Sequence, residues 1–205
     1  MRLAVAEIHS TRDHFELNPW QDGERRLTFH LTLDGNPELA AAARRVHEAL
    51  GALPPARLVP VEWLHLTMSG FGRVGEVSSE ALAQIEEGVF SRWEEFSHER
   101  ISYDQLLVAH ESVMLTARID DWLPELARMQ REVVDEVLGP RQWRRLWPHS
   151  SLAYMAGAVP AEQLRECLAG VAAALPDAVE ARPTLTLMEL ARDTGNYEWR
   201  VLRSA

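Results

Sequence analysis

The chain has 205 residues, 46% of them hydrophobic, and a formal charge of −10 from 21 Lys and Arg against 31 Asp and Glu. That length and apolar content suit one large domain or two closely packed lobes, while the acid excess excludes a protein that coats long double-stranded nucleic acid with a broad basic face. The one cysteine, Cys167, excludes a disulfide framework and points to a reducing compartment.

Residues 1–26 form an N-terminal extension in which RLAVAEI reads as an extra strand. The extension lacks the apolar core of a signal peptide, and no run approaches the roughly 18 apolar residues of a membrane span, so a cytoplasmic protein with no membrane partner is expected. RLTFHLTLD (26–34) alternates apolar and polar residues and reads as a strand. A helix over 36–53 follows, with Asn36 as N-cap, Pro37 at the first helical position and Gly51 at its end. A Pro-broken connection leads to a strand over 62–69, a helix over 77–93 with a Ser N-cap, and a strand over 101–109. The order then returns: strand 112–119, helix 120–139 with Pro124 near its start, strand 145–155, and a helix over 160–175 that uses Cys167 for packing. Strands 184–191 and 196–202, joined by RDTG, close the chain.

Trp63-Leu-His65-Leu-Thr67 and Trp147-Pro-His149-Ser-Ser151 spell one pattern twice, with the histidines 84 positions apart. The same shift lays 112–119 on 28–35 and the helix at 160 on the one starting near 77, which predicts an internal duplication of a β-α-β-α-β unit. The expected fold is α+β: two antiparallel sheets facing a central cleft, helices outside. Lobe 1 covers about 27–110 and lobe 2 about 111–203 of a single bilobal domain, expected to act as a monomer.

On a strand, residues two apart share a face with Cα atoms about 6.6 Å apart, so His65 points with Thr67 and His149 with Ser151. Two such faces across one cleft suit a phosphodiester: one imidazole takes a proton from the nucleophile, the other gives one to the leaving oxygen, and the hydroxyls donate to non-bridging oxygens. An ordinary imidazole pKa near 6.5 leaves one ring neutral and the other charged around neutral pH. Neither motif offers a third metal ligand on its strand face, and Glu62 has the wrong parity, so no metal is expected.

Other residues are weighed against these. His30 lies in FHLTL, where it either lines the cleft floor or hydrogen-bonds from behind, and His110 falls in a solvated turn. Trp63 and Trp147 read as packing. Arg73 after the first motif, and Arg141, Arg144 and Arg145 before the second, are candidates to meet a phosphate; Tyr154 and Tyr197 are candidates for the rim.

The H-x-T and H-x-S pair, HLTMSGFG with Phe71 and Gly72, PHSSLAYM, and the closing strand with Tyr197 and Trp199 resemble the two-histidine (2H) phosphoesterase superfamily over roughly 27–203. The resemblance is closest to its 2′-5′ RNA ligase and RNA 2′,3′-cyclic phosphodiesterase members. It implies catalytic His65, Thr67, His149 and Ser151, no metal or cofactor, and a nucleotide or short RNA cyclic-phosphate substrate hydrolysed to a monoester, or a 2′-5′ ligation in reverse. His65 is assigned as acid at the leaving oxygen and His149 as base at water, with Tyr154, Arg73, Arg145 and His30 as substrate contacts. This chain departs from the family's usual TLLFLG at Met68-Ser69-Gly70-Phe71-Gly72, and Ser151 replaces the commoner Thr. Two other readings stay open: a cyclic phosphodiesterase of a nucleotide metabolite such as ADP-ribose cyclic phosphate, and a module that binds an RNA end without turning it over.

Overall fold

The computed structural model describes every residue except Asn18. The extension supplies β1 (Arg2–Val5) and the single turn α1 (His14–Leu17). The first half adds β2 (Arg26–Thr32), α2 (Pro37–Leu50), β3 (Ala56–Leu58), β4 (His65–Arg73), α3 (Ser79–Phe90) and β5 (Ile101–Val108). The second half adds β6 (Ser112–Ala117), α4 (Trp122–Leu138), β7 (His149–Met155), α5 (Ala161–Ala174), β8 (Val179–Ala181), β9 (Thr184–Ala191) and β10 (Glu198–Ser204). Shifted back by 84, β6, β7 and β9 cover 28–33, 65–71 and 100–107, which overlie β2, β4 and β5.

Element boundaries that differ from expectation have local causes. The first motif strand starts at His65 instead of 62 because residues 61–63 form a 3-10 turn behind Pro60, with Trp63 N donating to Pro60 O at 2.9 Å. Pro148 has no N–H for a ladder, and β7 begins only at His149. Ser78 caps α3 through Ala81 N at 3.2 Å. Asn36 occupies the N-cap position of α2 but does not cap it. Its Nδ2 donates to the carbonyls of Leu33 and Arg182, and its Oδ1 accepts from Arg182 N at 2.7 Å, tying α2 to the segment before β9.

One sheet has the order β10-β9-β2-β4 and is antiparallel throughout. The other runs β1-β5-β6-β7-β3 with β8 also on β5, and only the β1–β5 pair is parallel. This pairing corrects the contiguous lobes 27–110 and 111–203: β5 from the first half joins the sheet of β6 and β7, while β9 and β10 from the second join that of β2 and β4. The turn at 109–111, closed by Ala109 N donating to Ser112 O at 2.8 Å, is the reason. So short a connection makes β5 and β6 hairpin neighbours, and the duplication then places β9 beside β2.

The helices are exchanged as well. α2 packs on α5, β7 and β8, and α4 on α3 and β4. Gly88 of α3 allows the second of these contacts, since a Cβ there would meet Val133 Cγ1 at 2.7 Å. One continuous core results, with Phe29, Leu31 and Leu66 buried from one sheet and Val113, Leu115 and Leu152 from the other.

Candidate active site

β4 and β7 approach within 8 Å between Cα atoms where the two sheets meet, and each opens on its motif histidine. His65 Nδ1 donates to the Trp63 carbonyl at 2.9 Å, and His149 Nδ1 to the Trp147 carbonyl at 2.7 Å. A carbonyl only accepts, so each neutral ring carries its proton on Nδ1 and keeps a lone pair on Nε2. The repeated five-residue pattern therefore sets the tautomer of each ring as well as its place. Both rings, with Thr67 and Ser151, line one cleft of about 590 Å³.

A second repeat is visible only in the pairing. β4 carries one extra residue at Met68, where Phe29 pairs with Ser69 and His30 with Thr67, and β7 carries one at Leu152, where Val113 pairs with Ala153 and Met114 with Ser151. These positions are also 84 apart. A bulge turns the residues that follow it, which brings Tyr154 onto the cleft face despite its odd spacing from Ser151. Tyr154 is 5% exposed and belongs to the cleft wall instead of the expected rim.

His30 is 1% exposed and supports the site from behind. Its ring stacks on His65 with centroids 4.5 Å apart, its Nδ1 lies 2.8 Å from Met188 Sδ, and its Nε2 lies 3.0 Å from Thr67 Oγ1. A thioether sulfur cannot donate, so Nδ1 carries the proton and Nε2 draws the Thr67 hydroxyl proton toward itself. His30 thus supports Thr67 and His65 from behind, the second of the two roles the sequence left open, and its ring also forms part of the cleft floor.

Arg73 is not in the cleft. It lies eight residues beyond His65, up to about 26 Å along the strand, and pairs with Glu24 at 3.4 Å and Glu76 at 3.3 Å. Arg145 is exposed and lines the cleft, as does Arg144, whereas Arg141 donates to the Phe71 carbonyl at 2.8 Å. Trp63 packs on Trp199 with ring centroids 5.2 Å apart, as expected. Trp147 departs from the packing expectation: it is 52% exposed beside His149. His110 is exposed in the β5–β6 turn, and Cys167 Sγ donates to the Ala49 carbonyl.

Sequence reasoning missed His14, Trp20, Arg26 and Arg131, all of which line the cleft. His14 arrives on α1. Asp13 Oδ1 caps that turn through Phe15 N at 2.8 Å, and buried Thr11 pins the strap through the Gly157 carbonyl and Val159 N. The His14 ring lies 4.4 Å from Tyr154, with Nε2 3.0 Å from Tyr197 Oη. Asp13 with Glu16 three residues on is a helix-start signal, but nothing in the chain order says that this turn meets the cleft.

The cleft lining includes four arginines and four histidines, with no Asp or Glu among the described residues. Burial depresses the imidazoles: His65 falls from an ordinary 6.5 to about 4, aided by the charge of His149, and His14 also falls to about 4. His149 and His30 are lowered by burial too. Both motif histidines are thus neutral at pH 7 in the unliganded cleft, instead of one neutral and one charged, because desolvation disfavours the imidazolium. An anion between them favours the charged form. These shifts carry a stability consequence. The unfolded chain takes up protons below about 6.5 while the buried rings resist until about 4, so stability is complete above pH 6.5 and falls as pH drops toward 4. Melting temperatures measured from pH 7.5 to 4.5 should decline through this window, and more steeply than for His14→Phe; identical curves would contradict the shift.

No group of three or more His, Cys, Asp or Glu that could hold a metal ion occurs among the described residues. No described helix is long and apolar enough to cross a membrane.

No family model and no curated protein sequence matches the chain. Solved structures resemble it in fold. E. coli LigT complexed with 3′-AMP aligns over 89% of this chain and 97% of its own, with a TM-score of 0.60 and 19% identity. A Thermus thermophilus protein aligns over 87% and 96%, with 0.62 and 18%. A phosphoesterase aligns over 88% and 97%, with 0.58 and 18%. Identity at this level speaks for the course of the backbone. The chain has the LigT-like 2H phosphoesterase fold, an α+β arrangement of two open, largely antiparallel sheets with helices outside.

Proposed function

We propose that the protein is a metal-independent phosphodiesterase that hydrolyses 2′,3′-cyclic phosphates of ribonucleotides or short RNA ends, acting as a monomer. The observation that carries this reading is the pair of histidines with both Nδ1 atoms tied to carbonyls and both Nε2 atoms left for proton transfer, on one carboxylate-free cleft. LigT, whose fold the chain shares, has been crystallised with 3′-AMP, a nucleotide that carries its phosphate on the ribose.

In the reaction, His149 Nε2 takes a proton from water as the water oxygen bonds to phosphorus. The bond from phosphorus to one ribose oxygen breaks, and His65, protonated on Nε2 once the anionic phosphodiester is bound, gives that oxygen its proton. The product is a ribose monoester, and proton exchange with solvent resets the two rings. Ser151 donates to a phosphoryl oxygen, and Thr67 does so once its hydroxyl, which donates to His30 Nε2 in the unliganded cleft, turns to the substrate. The arginines raise the local concentration of the anion in a chain that is otherwise acidic.

Purified protein incubated with 2′,3′-cyclic nucleotides and a chelator should yield nucleoside monophosphates detectable by mass spectrometry, with a bell-shaped dependence of kcat/KM on pH. Saturable binding without product would replace the enzyme with a binding module. A cyclic phosphate of a nucleotide metabolite is the other substrate with this chemistry, and the same assay reads it directly.

A further inference from the structure

The cleft extends beyond the histidine pair. Toward α4 and the segment before β7 it is lined by Arg131, Arg144 and Arg145 with Trp143 among them. Arg131 reaches in from the middle of α4: Nη2 donates to the Arg144 carbonyl at 2.9 Å, and the guanidinium carbon lies 5.6 Å from the centre of the Trp143 ring. Its Nε is buried without a hydrogen-bond partner. The nearby carboxylate on the same helix, Asp135, accepts from Trp143 Nε1 at 3.0 Å. None of the three arginines forms an ion pair among the described residues, whereas Arg26, on the cleft lining near Trp20, pairs with Glu24. Uncompensated positive charge therefore collects where α4 borders the cleft. The cleft volume of about 590 Å³ lies within the roughly 300–1,000 Å³ of sites for whole nucleotide-sized ligands, more than one phosphate fills.

We propose that Arg131, Arg144 and Arg145 form a second phosphate subsite, which takes the 5′-phosphoryl group of the nucleotide whose cyclic phosphate lies between His65 and His149. The planar guanidinium groups of Arg131 and Arg145 line the cleft with no carboxylate partner among the described residues, and they suit a phosphate's oxygens, which arginine meets with paired charge-assisted hydrogen bonds. The inference rests on the phosphodiesterase reading and narrows its substrate to one carrying a second phosphate. That group is either a free 5′-phosphate or the diester joining the terminal nucleotide to the one before it.

Three substrates separate these cases: adenosine 2′,3′-cyclic phosphate, its 5′-phosphorylated form, and an adenosine dinucleotide ending in the cyclic phosphate. The subsite predicts a kcat/KM about 10- to 100-fold higher for at least one of the phosphate-bearing substrates, mainly through KM. A preference for the 5′-monophosphate assigns a free phosphate, and a preference for the dinucleotide assigns the RNA diester. Arg131→Gln and Arg145→Gln, each checked by melting temperature, should reduce that preference at least about tenfold more than they reduce turnover of the plain cyclic nucleotide. Equal use of all three substrates, or a preference that survives both substitutions, overturns the subsite. If none is turned over, the phosphodiesterase reading fails first, and calorimetric titration with 3′-AMP and adenosine 3′,5′-bisphosphate then decides the subsite. Tighter binding of the bisphosphate that is lost in Arg131→Gln supports it; equal binding, or none, overturns it.

Discussion

His65→Ala and His149→Ala each lower turnover of a 2′,3′-cyclic nucleotide by about a hundredfold or more, while circular dichroism stays that of the parent protein. One positioned acid or base contributes roughly 10² to 10⁴-fold, and neither ring has a substitute: His30 already uses both nitrogens on Met188 and Thr67, and His14 Nε2 meets Tyr197. The substitutions differ in their effect on the fold. His65 is 9% exposed and packs between His30 and Trp199, so its loss also removes buried contacts; His149 is more open and contacts Trp147. His149→Ala is therefore the cleaner probe of chemistry. Each variant should also lose one limb of the bell-shaped pH profile. Hydrolysis within a few fold of the parent rate by either folded variant would remove the two-histidine mechanism.

The fragment 27–110 should remain unfolded on its own, and this is the second large effect. A contiguous first lobe would fold, with its own sheet and two helices. In the exchanged topology the fragment keeps β2 without β9 and β5 without β6, and α2 loses α5, β7 and β8. Leu39, Val46 and Leu50, the large buried side chains of α2, then face water. At about 1.5–3 kcal/mol each, their exposure is comparable with the whole stability of a typical domain, about 5–15 kcal/mol. Far-ultraviolet circular dichroism and the dispersion of amide proton resonances report the result directly. A cooperative thermal transition in the isolated fragment would mean that the strands are not exchanged.

Local spacing was enough for the longer strands and helices, the duplication and the place of the two motif histidines, but not for the short elements α1, β3 and β8. Period-2 alternation, Pro and Gly breaks and side-chain parity are properties of a few consecutive residues, and a pattern repeated 84 positions apart survives as a string. The same locality explains the misplacements. Arg73 is close to His65 in the chain, yet an extended strand carries it out of the cleft. The lobe boundary at 110 fell inside the β5–β6 hairpin, because strand partners are chosen by turn length and long-range pairing, which no single segment spells out. Tyr154 was a candidate from its name alone; its place in the wall follows from a bulge at Leu152 that exists only against β6.

Long-range packing settled the rest. His14 reaches the cleft because Thr11 holds the strap against the β7–α5 connection, and Arg131 because α4 crosses to the sheet of the other half. The depressed histidines belong here too: an imidazole's intrinsic basicity comes with the residue, but the loss of water that moves it depends on which surfaces the exchanged strands and helices bring together.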